Sequence, residues 1–330
     1  MREVSIIIVG FGKIGRAVAR TIASKDSDIA GEFGVRLKVV GICDMVGSVL
    51  DEGGIDLGKV AEKPWGKHKD FVGRKTIDVI RSLKADIVVE ATPGNVSDGE
   101  PGLSHIKAAL ESGKNVVTSN KAPLVVAFRE LKSLARRNGV DLRYEATVGG
   151  AIPIINLYES ELKPNTINSI LGVLNGTTNY ILTKMSEEGV EFDAALKEAQ
   201  NLGLAEPNPE YDVKGIDTAA KVVILSNALL GKNVSLKDVK IVGIDEITPE
   251  AVDLAKEYGF EIKLIGDVKN LEVSPRLVPR EHPLNIPGNL NAIMLETDIA
   301  GPLTLVGAGA GPKETSSSIL SDIIAIAKKL

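Results

Sequence analysis

Asp217 and Lys221 stand four residues apart at the head of an apolar run, Thr218 to Leu230, that contains neither proline nor glycine. Such a run predicts a helix, on which that spacing sets a carboxylate and an ammonium on one face, continued by Ile224 and Ala228. The pair can be an ordinary surface ion pair, or a cation held at the edge of a pocket for proton transfer. The preceding stretch, Glu206-Pro207-Asn208-Pro209-Glu210-Tyr211-Asp212, brings three more carboxylates close to the helix start. Its two prolines bar helix and predict an extended loop. Further upstream, a strand predicted over Thr166 to Leu174 runs into Asn175-Gly176-Thr177-Thr178-Asn179, whose amides and hydroxyls can hydrogen-bond a small polar molecule.

A second chemical signal opens the chain. Val4 to Val9 reads as a β-branched strand, followed at once by Gly10-Phe11-Gly12-Lys13-Ile14-Gly15 and a helix predicted from Arg16 to Ser24. In that context the first glycine allows the tight turn, the second lets backbone approach a pyrophosphate, and the third lets helix pack on strand. A polar loop is predicted from Ser24 to Gly34, then a strand from Val35 to Cys43 that ends on Asp44. An acidic residue there suits the ribose hydroxyls of NAD. Lys59, Lys63 and Lys67 downstream suit a 2′-phosphate instead, so the choice between NAD and NADP stays open. Trp65 and His68 read as surface or rim residues.

The remaining elements place these stretches. Strands predicted over Asp86 to Ala91 and from Asn115 end at Thr92-Pro93-Gly94-Asn95 and Asn120-Lys121-Ala122-Pro123, loops at the carboxyl edge where open α/β sheets bind ligands. Lys121 therefore points to that edge, or is a solvated loop lysine. Residues 1–145 form the expected dinucleotide-binding domain, of Rossmann type. Residues 146–312 form an α+β catalytic and dimerisation domain with a mixed open sheet. A helix over 313–330, with the stripe Ile319, Ile323, Ala327, is expected to return to the first domain.

Composition narrows the class. Hydrophobic residues make up 44% of the 330 and charged residues 25%, enough for a sizeable core. Thirty-nine Lys and Arg against 44 Asp and Glu give a formal net charge of −5, without the basic run of a nucleic-acid binder. The one cysteine, Cys43, can form no intrachain disulfide, which suits the cytoplasm. No stretch has the roughly 18 consecutive apolar residues of a membrane span, and Met1-Arg2-Glu3 leads straight into a strand rather than a signal peptide. The three histidines, His68, His105 and His282, fall outside the candidate loops, and no Cys/His cluster has metal-ligand spacing.

Together, the Gly10–Gly15 turn, Asn120-Lys121-Ala122-Pro123, Glu145-Ala146-Thr147-Val148-Gly149-Gly150, Asn175-Gly176-Thr177 and Asp212-Val213-Lys214-Gly215-Ile216-Asp217-Thr218-Ala219-Ala220-Lys221 resemble the homoserine dehydrogenases over essentially the whole chain. The resemblance implies reversible reduction of L-aspartate 4-semialdehyde to L-homoserine by NAD(P)H, in the biosynthesis of threonine, methionine and isoleucine. It implies Lys221 as the acid/base lysine with Asp217 and Lys121 beside it, and Glu206, Asp212, Gly176 and Thr177 around homoserine. Phe11, Lys13, Ile14, Thr92, Lys121 and Gly311 fall on dinucleotide contacts. Glu145, Val148, Gly150 and Ile152 match a monovalent-cation site built largely from backbone oxygens, for sodium or a similar ion. A homodimer through the second-domain sheet is expected, and no feedback through an ACT domain, since the chain has no room for one. An amino-acid dehydrogenase such as aspartate dehydrogenase, which usually wants a histidine near the nicotinamide, and a non-catalytic dinucleotide sensor are the competing readings.

Overall fold

The computed structural model describes residues 1–60 and 68–330, so the expectations for Lys63, Trp65 and Lys67 lie outside the described residues. The chain divides into two compact units, Met1–Thr147 with Gly311–Leu330, and Val148–Ala310.

The first unit is built on β1 (Arg2–Val9), whose residues from Ile6 to Val9 are buried. A helix, α1 (Lys13–Phe33), returns the chain to β2 (Val35–Asp44), which pairs parallel to β1. Next come β3 (Gly47–Leu50), α2 (Leu57–Val60), β4 (Phe71–Val72) and α3 (Thr76–Ser82). The first three are absent from the sequence-based expectations. The chain then crosses to the other side of β1 through β5 (Ile87–Glu90), α4 (Gly102–Glu111), β6 (Asn115–Thr118), α5 (Lys121–Arg137) and β7 (Leu142–Arg143). The sheet order is β4-β3-β2-β1-β5-β6-β7, parallel from β2 to β7 with an antiparallel edge at β3 and β4. This is a doubly wound α/β sheet, in which the strand order reverses at β1 and opens a crevice at the carboxyl ends of β1 and β5. The C-terminal helix Pro312–Ala327 packs on α1 in this unit, burying Ile319, Ile323 and Ala327 in one core with Val18, Ile22 and Ile29.

Two local expectations are corrected here. The stretch from Ser24 is not a loop: α1 continues to Phe33 and ends on Gly34, at φ +67. Its Ser and Asp residues are weak helix formers, but Ile22 and Ile29, two turns apart, are both buried, and tertiary packing overrides propensity. The long spacing between the glycine turn and Asp44 is helix, not insertion. Likewise Lys121 opens α5 rather than lying in a loop. Asn120 caps that helix, its Oδ1 accepting from Ala122 N at 3.1 Å, and Pro123 sits in the first turn, where no N–H is needed.

The second unit follows with α6 (Ile154–Leu157), β8 (Ile167–Val173), α7 (Gly176–Glu188), α8 (Phe192–Asn201), α9 (Glu210–Val213) and α10 (Ile216–Leu229). After these come β9 (Lys240–Ile241), α11 (Pro249–Glu257), β10 (Phe260–Asp267), β11 (Glu272–Pro279), β12 (Leu290–Thr297) and β13 (Pro302–Ala308). Its sheet runs β13-β12-β8-β10-β11-β9 and is mixed: every pair is antiparallel except β11 with β9. Gly266 on β10 has no side chain where Val222 and Thr218 of α10 press in, 2.9 and 3.2 Å from the Cβ it lacks. That close approach seats the helix bearing Asp217 and Lys221 on the sheet. The segment 175–179 is not a loop but the start of α7, because Asn175 caps it by accepting from Thr178 N at 2.9 Å.

In the first unit, a Cβ on Gly15 would lie 2.0 Å from the carbonyl oxygen of Gly10, whereas one on Gly12 would meet nothing within 4 Å. Gly15→Ala should therefore lower stability by about 1–3 kcal/mol in urea unfolding, and Gly12→Ala by less than about 0.5 kcal/mol. Equal losses would refute this account of how α1 packs on β1.

Candidate active site

At the carboxyl edge of the first unit's sheet, Gly10 takes φ +87. A Cβ there would collide with Ala91 O at 2.7 Å and Thr92 N at 2.8 Å, so only glycine lets the turns after β1 and β5 meet. Phe11 is buried, and its N–H donates to Asp44 Oδ2 at 3.0 Å, while Met45 N donates to Asp44 Oδ1 at 2.7 Å. Asp44 thus braces the glycine turn from the end of β2. Gly12 and Lys13 are exposed, Ile14 is half-buried, and no side chain caps the amides at the start of α1. Open amides at a helix N-terminus, beside a glycine with open space over it, fit a dinucleotide pyrophosphate.

Thr92, after β5, donates from N to Glu90 Oε1 at 3.1 Å and from its hydroxyl to the same oxygen. Glu90 is fully buried and also accepts from Thr118 Oγ1 at 3.2 Å. His105 Nδ1 lies 3.8 Å from Glu90 Oε1. In the sequence His105 falls outside the candidate loops, since it sits on α4, thirteen residues beyond Thr92. Only the fold of α4 against β5 brings it beneath the Thr92 loop. Lys121 lies at the carboxyl end of β6, next to β5. Gly10–Gly15, Asp44, Thr92 and Lys121 thus share one sheet edge. Gly311 precedes the C-terminal helix at φ +129, with Glu314 Oε2 only 2.1 Å from where its Cβ would be.

In the second unit, Asp217 and Lys221 are each 6% exposed, which decides against an ordinary surface pair. Lys221 Nζ is 2.7 Å from Asp217 Oδ2 and donates to the Leu174 carbonyl at the end of β8. Asn175, the cap of α7, sends its Nδ2 to Asp212 Oδ1 at 2.7 Å and to Asp217 Oδ2 at 2.9 Å. One buried cluster thereby joins the strand end, the cap, the acidic turn and α10. Asp212 sits in α9, a single helical turn that interrupts the extended loop expected over Glu206 to Asp212, since the chain is freed from proline after Pro209. Thr177 Oγ1 donates to Leu204 O at 2.8 Å and so ties α7 to the turn after α8. Gly176 admits no side chain, because its Cβ would lie 2.6 Å from Asn289 O.

Glu206 is exposed, and its backbone carbonyl accepts from Gln200 Nε2 at 3.3 Å. Asn175, from the stretch expected to hydrogen-bond a small molecule, and Tyr211, absent from the sequence-based site, belong to the cluster. Asn175 was legible as a helix cap, being an Asn before a Gly-Thr-Thr start. Tyr211 was not, although its phenol is pushed well above the usual range by burial and by the carboxylates of Asp217 and Asp212. It therefore stays protonated and able to donate.

Of the cation candidates, Glu145 closes the first unit in a 3-10 turn, 1% exposed, with its N–H on Asp322 Oδ2 at 3.0 Å. Val148, Gly150 and Ile152 open the second unit through two successive left-handed glycines, Gly149 and Gly150. No group of three or more His, Cys, Asp or Glu side chains able to hold a metal occurs among the described residues.

Two family models match. The one described as homoserine dehydrogenase, NAD binding domain, covers residues 10–145, and the one described as homoserine dehydrogenase covers 153–324. The chain is 50% identical to a homoserine dehydrogenase of Methanocaldococcus jannaschii over 97% of its own length and 98% of that protein's. It is 39% identical to an NAD(+)-dependent homoserine dehydrogenase of Pseudomonas canavaninivorans, over 99% and 97% of the two chains. A crystal structure of a putative homoserine dehydrogenase from Archaeoglobus fulgidus superposes with a TM-score of 0.91 at 44% identity, covering 98% of this chain and 99% of that one. With a dinucleotide turn in the first unit, a buried lysine–aspartate cluster in the second, and relatives matched over their full length, the chain belongs to the homoserine dehydrogenase family.

Proposed function

We propose that the chain catalyses the reversible NAD(P)H-dependent reduction of L-aspartate 4-semialdehyde to L-homoserine, a step of threonine, methionine and isoleucine biosynthesis. The observation that carries this reading is the buried cluster of Asn175, Asp212, Asp217 and Lys221. When bound, the nicotinamide supplies the hydride, or accepts it in reverse. The protein's own part is to hold the dinucleotide, orient the substrate and manage the proton on its oxygen. Gly10, Phe11, Gly12, Lys13, Ile14 and Gly15 cradle the pyrophosphate, with Asp44, Thr92, Lys121 and Gly311 as further contacts.

Lys221 is the proton donor to the developing alkoxide, because a buried ammonium both offsets that charge and carries a proton. Asp217 fixes its position from one helical turn away, and the Leu174 carbonyl aims it. Asp212 and Glu206 suit the ammonium of homoserine, and Gly176 and Thr177 border it at the start of α7. Lys121, on the other unit, is the second candidate for the proton. A monovalent cation bound by carbonyl oxygens of Glu145, Val148, Gly150 and Ile152 would stiffen the segment between them.

The second unit also offers a dimerisation face. Leu171 and Met294 are register partners and half-buried, and on the same face Val306, opposite Ala292, is 50% exposed. An apolar strip of this kind on a sheet is normally covered by a partner. No helix among the described residues is long and apolar enough to cross a membrane, and the lone Cys43 is buried, its thiol pushed up to about 11 by that burial. Both features fit a cytoplasmic protein.

Three measurements test this reading. Homoserine oxidation at alkaline pH, followed by absorbance of NADH and NADPH with sodium, potassium or neither, should reduce at least one cofactor, faster with a cation. A folded, dinucleotide-binding protein that reduces neither would refute the function. Lys221→Ala should cut turnover by roughly two to four orders of magnitude with dinucleotide binding little changed, and a matching loss confined to Lys121→Ala would move the proton to that residue. A lysate should hold the protein in its soluble fraction, sedimenting at twice the 34.9 kDa chain mass. Sedimentation as a monomer, or with membranes, would count against the dimer or the location.

A further inference from the structure

The second unit buries another lysine, remote in sequence from the cluster around Lys221. Lys263 on β10 is 3% exposed, and its Nζ donates to Asn179 Oδ1 at 2.9 Å and to the Ile286 carbonyl at 2.7 Å. The third donor reaches Thr183 Oγ1 only at 3.4 Å. All three acceptors are neutral, and no carboxylate lies within ion-pair distance of this ammonium among the described residues. A buried cation with no carboxylate in direct contact is costly, and burial pulls its pKa down to about 8 against the opposing pull of the more distant Glu261 and Glu187.

The weakly held donor faces space. Thr183 and Lys263 line a cavity of about 260 Å³, with Ser186, Glu187, Glu261 and Asn285. That is at the small end of the ~300–1,000 Å³ usual for drug-sized ligands, and suits a molecule of a few heavy atoms. Its charged groups are arranged by sign. Lys263 is buried, Glu187 is exposed, and Glu261 is held by the Ser186 hydroxyl and lies 3.7 Å from Arg280 Nε. Lys256 of α11 is turned away onto the Ser186 carbonyl, and His282 Nδ1 accepts from Leu284 N at 3.1 Å. A ligand carboxylate would give Lys263 a counter-charge in direct contact, and a ligand ammonium would answer Glu187 and Glu261.

We propose that this cavity binds a small α-amino acid, its carboxylate on Lys263 and its ammonium on Glu187 and Glu261, at a site separate from the Lys221 cluster. The helix α7 runs from one to the other, with Gly176 and Thr177 in its first turn and Thr183 and Ser186 towards its end. L-alanine is the probe, titrated by calorimetry near pH 8 in buffers of different protonation enthalpy. Saturable binding with proton uptake is expected, because a carboxylate beside Lys263 favours its charged form. Lys263→Met and Glu187→Gln should each weaken binding by roughly tenfold or more. Lys221→Ala should leave it intact, which separates this site from the catalytic one. No saturable heat, no proton uptake, undiminished binding by Glu187→Gln, or acetate binding as tightly as L-alanine would each overturn the proposal.

Discussion

A charge taken out of water must find a partner, and in this protein that constraint is concentrated at Lys221. Its ammonium and the Asp217 carboxylate are both nearly inaccessible, so each depends on the other and on the polar groups around them. Lys221 and Asn175 both bond to Asp217, and Asn175 divides its amide between Asp217 and Asp212. Because Asn175 is also the cap of α7, the charge cluster and the start of that helix form together. Removing one member takes a hydrogen bond or a charge from buried neighbours, which costs more than an exposed bond would.

The sheet of the second unit exists in the form it does because α10 must come close. Gly266 on β10 gives way to Thr218 and Val222, and Gly215, at φ +79, lets the chain turn from α9 into α10. A larger residue at Gly266 would lift the helix and draw Lys221 from the Leu174 carbonyl. The first unit solves a different problem with the same residue type. Its glycines expose backbone amides at a helix N-terminus, where the partial positive charge serves an anionic ligand without any lysine having to be buried.

The sequence disclosed most about the stretches where chemistry forces a residue type. The Gly10–Gly15 turn follows a β-branched strand, and the Asp217–Lys221 pair heads a run free of helix breakers, so both are legible from residue types and spacing alone. The strand expected over Thr166 to Leu174 matches β8, Ile167–Val173, to within a residue at each end. What could not be read was anything set by packing at a distance. The stretch after Ser24 looks polar, and packing of α1 against the C-terminal helix and the sheet holds it helical. Tyr211 looks like one more loop residue until α9 sets its phenol among two carboxylates. His105 looks remote until the fold places it under Glu90.

Comparison of the two buried lysines of the second unit shows how partners, rather than burial, divide labour. Both are hidden to a similar degree, at 6% and 3% exposure, and both reach a backbone carbonyl. Lys221 has a carboxylate at 2.7 Å, one turn away on its own helix, so its charge is offset within one rigid element and its position is fixed. Lys263 bonds to an amide, a hydroxyl and a carbonyl, while the Glu261 and Glu187 carboxylates act on its charge only from beyond ion-pair distance. The first arrangement suits an ammonium that must be ready in one place for a proton transfer. The second suits one that gains when an anion comes into direct contact, since attraction between charges in a low-dielectric site grows steeply as they approach.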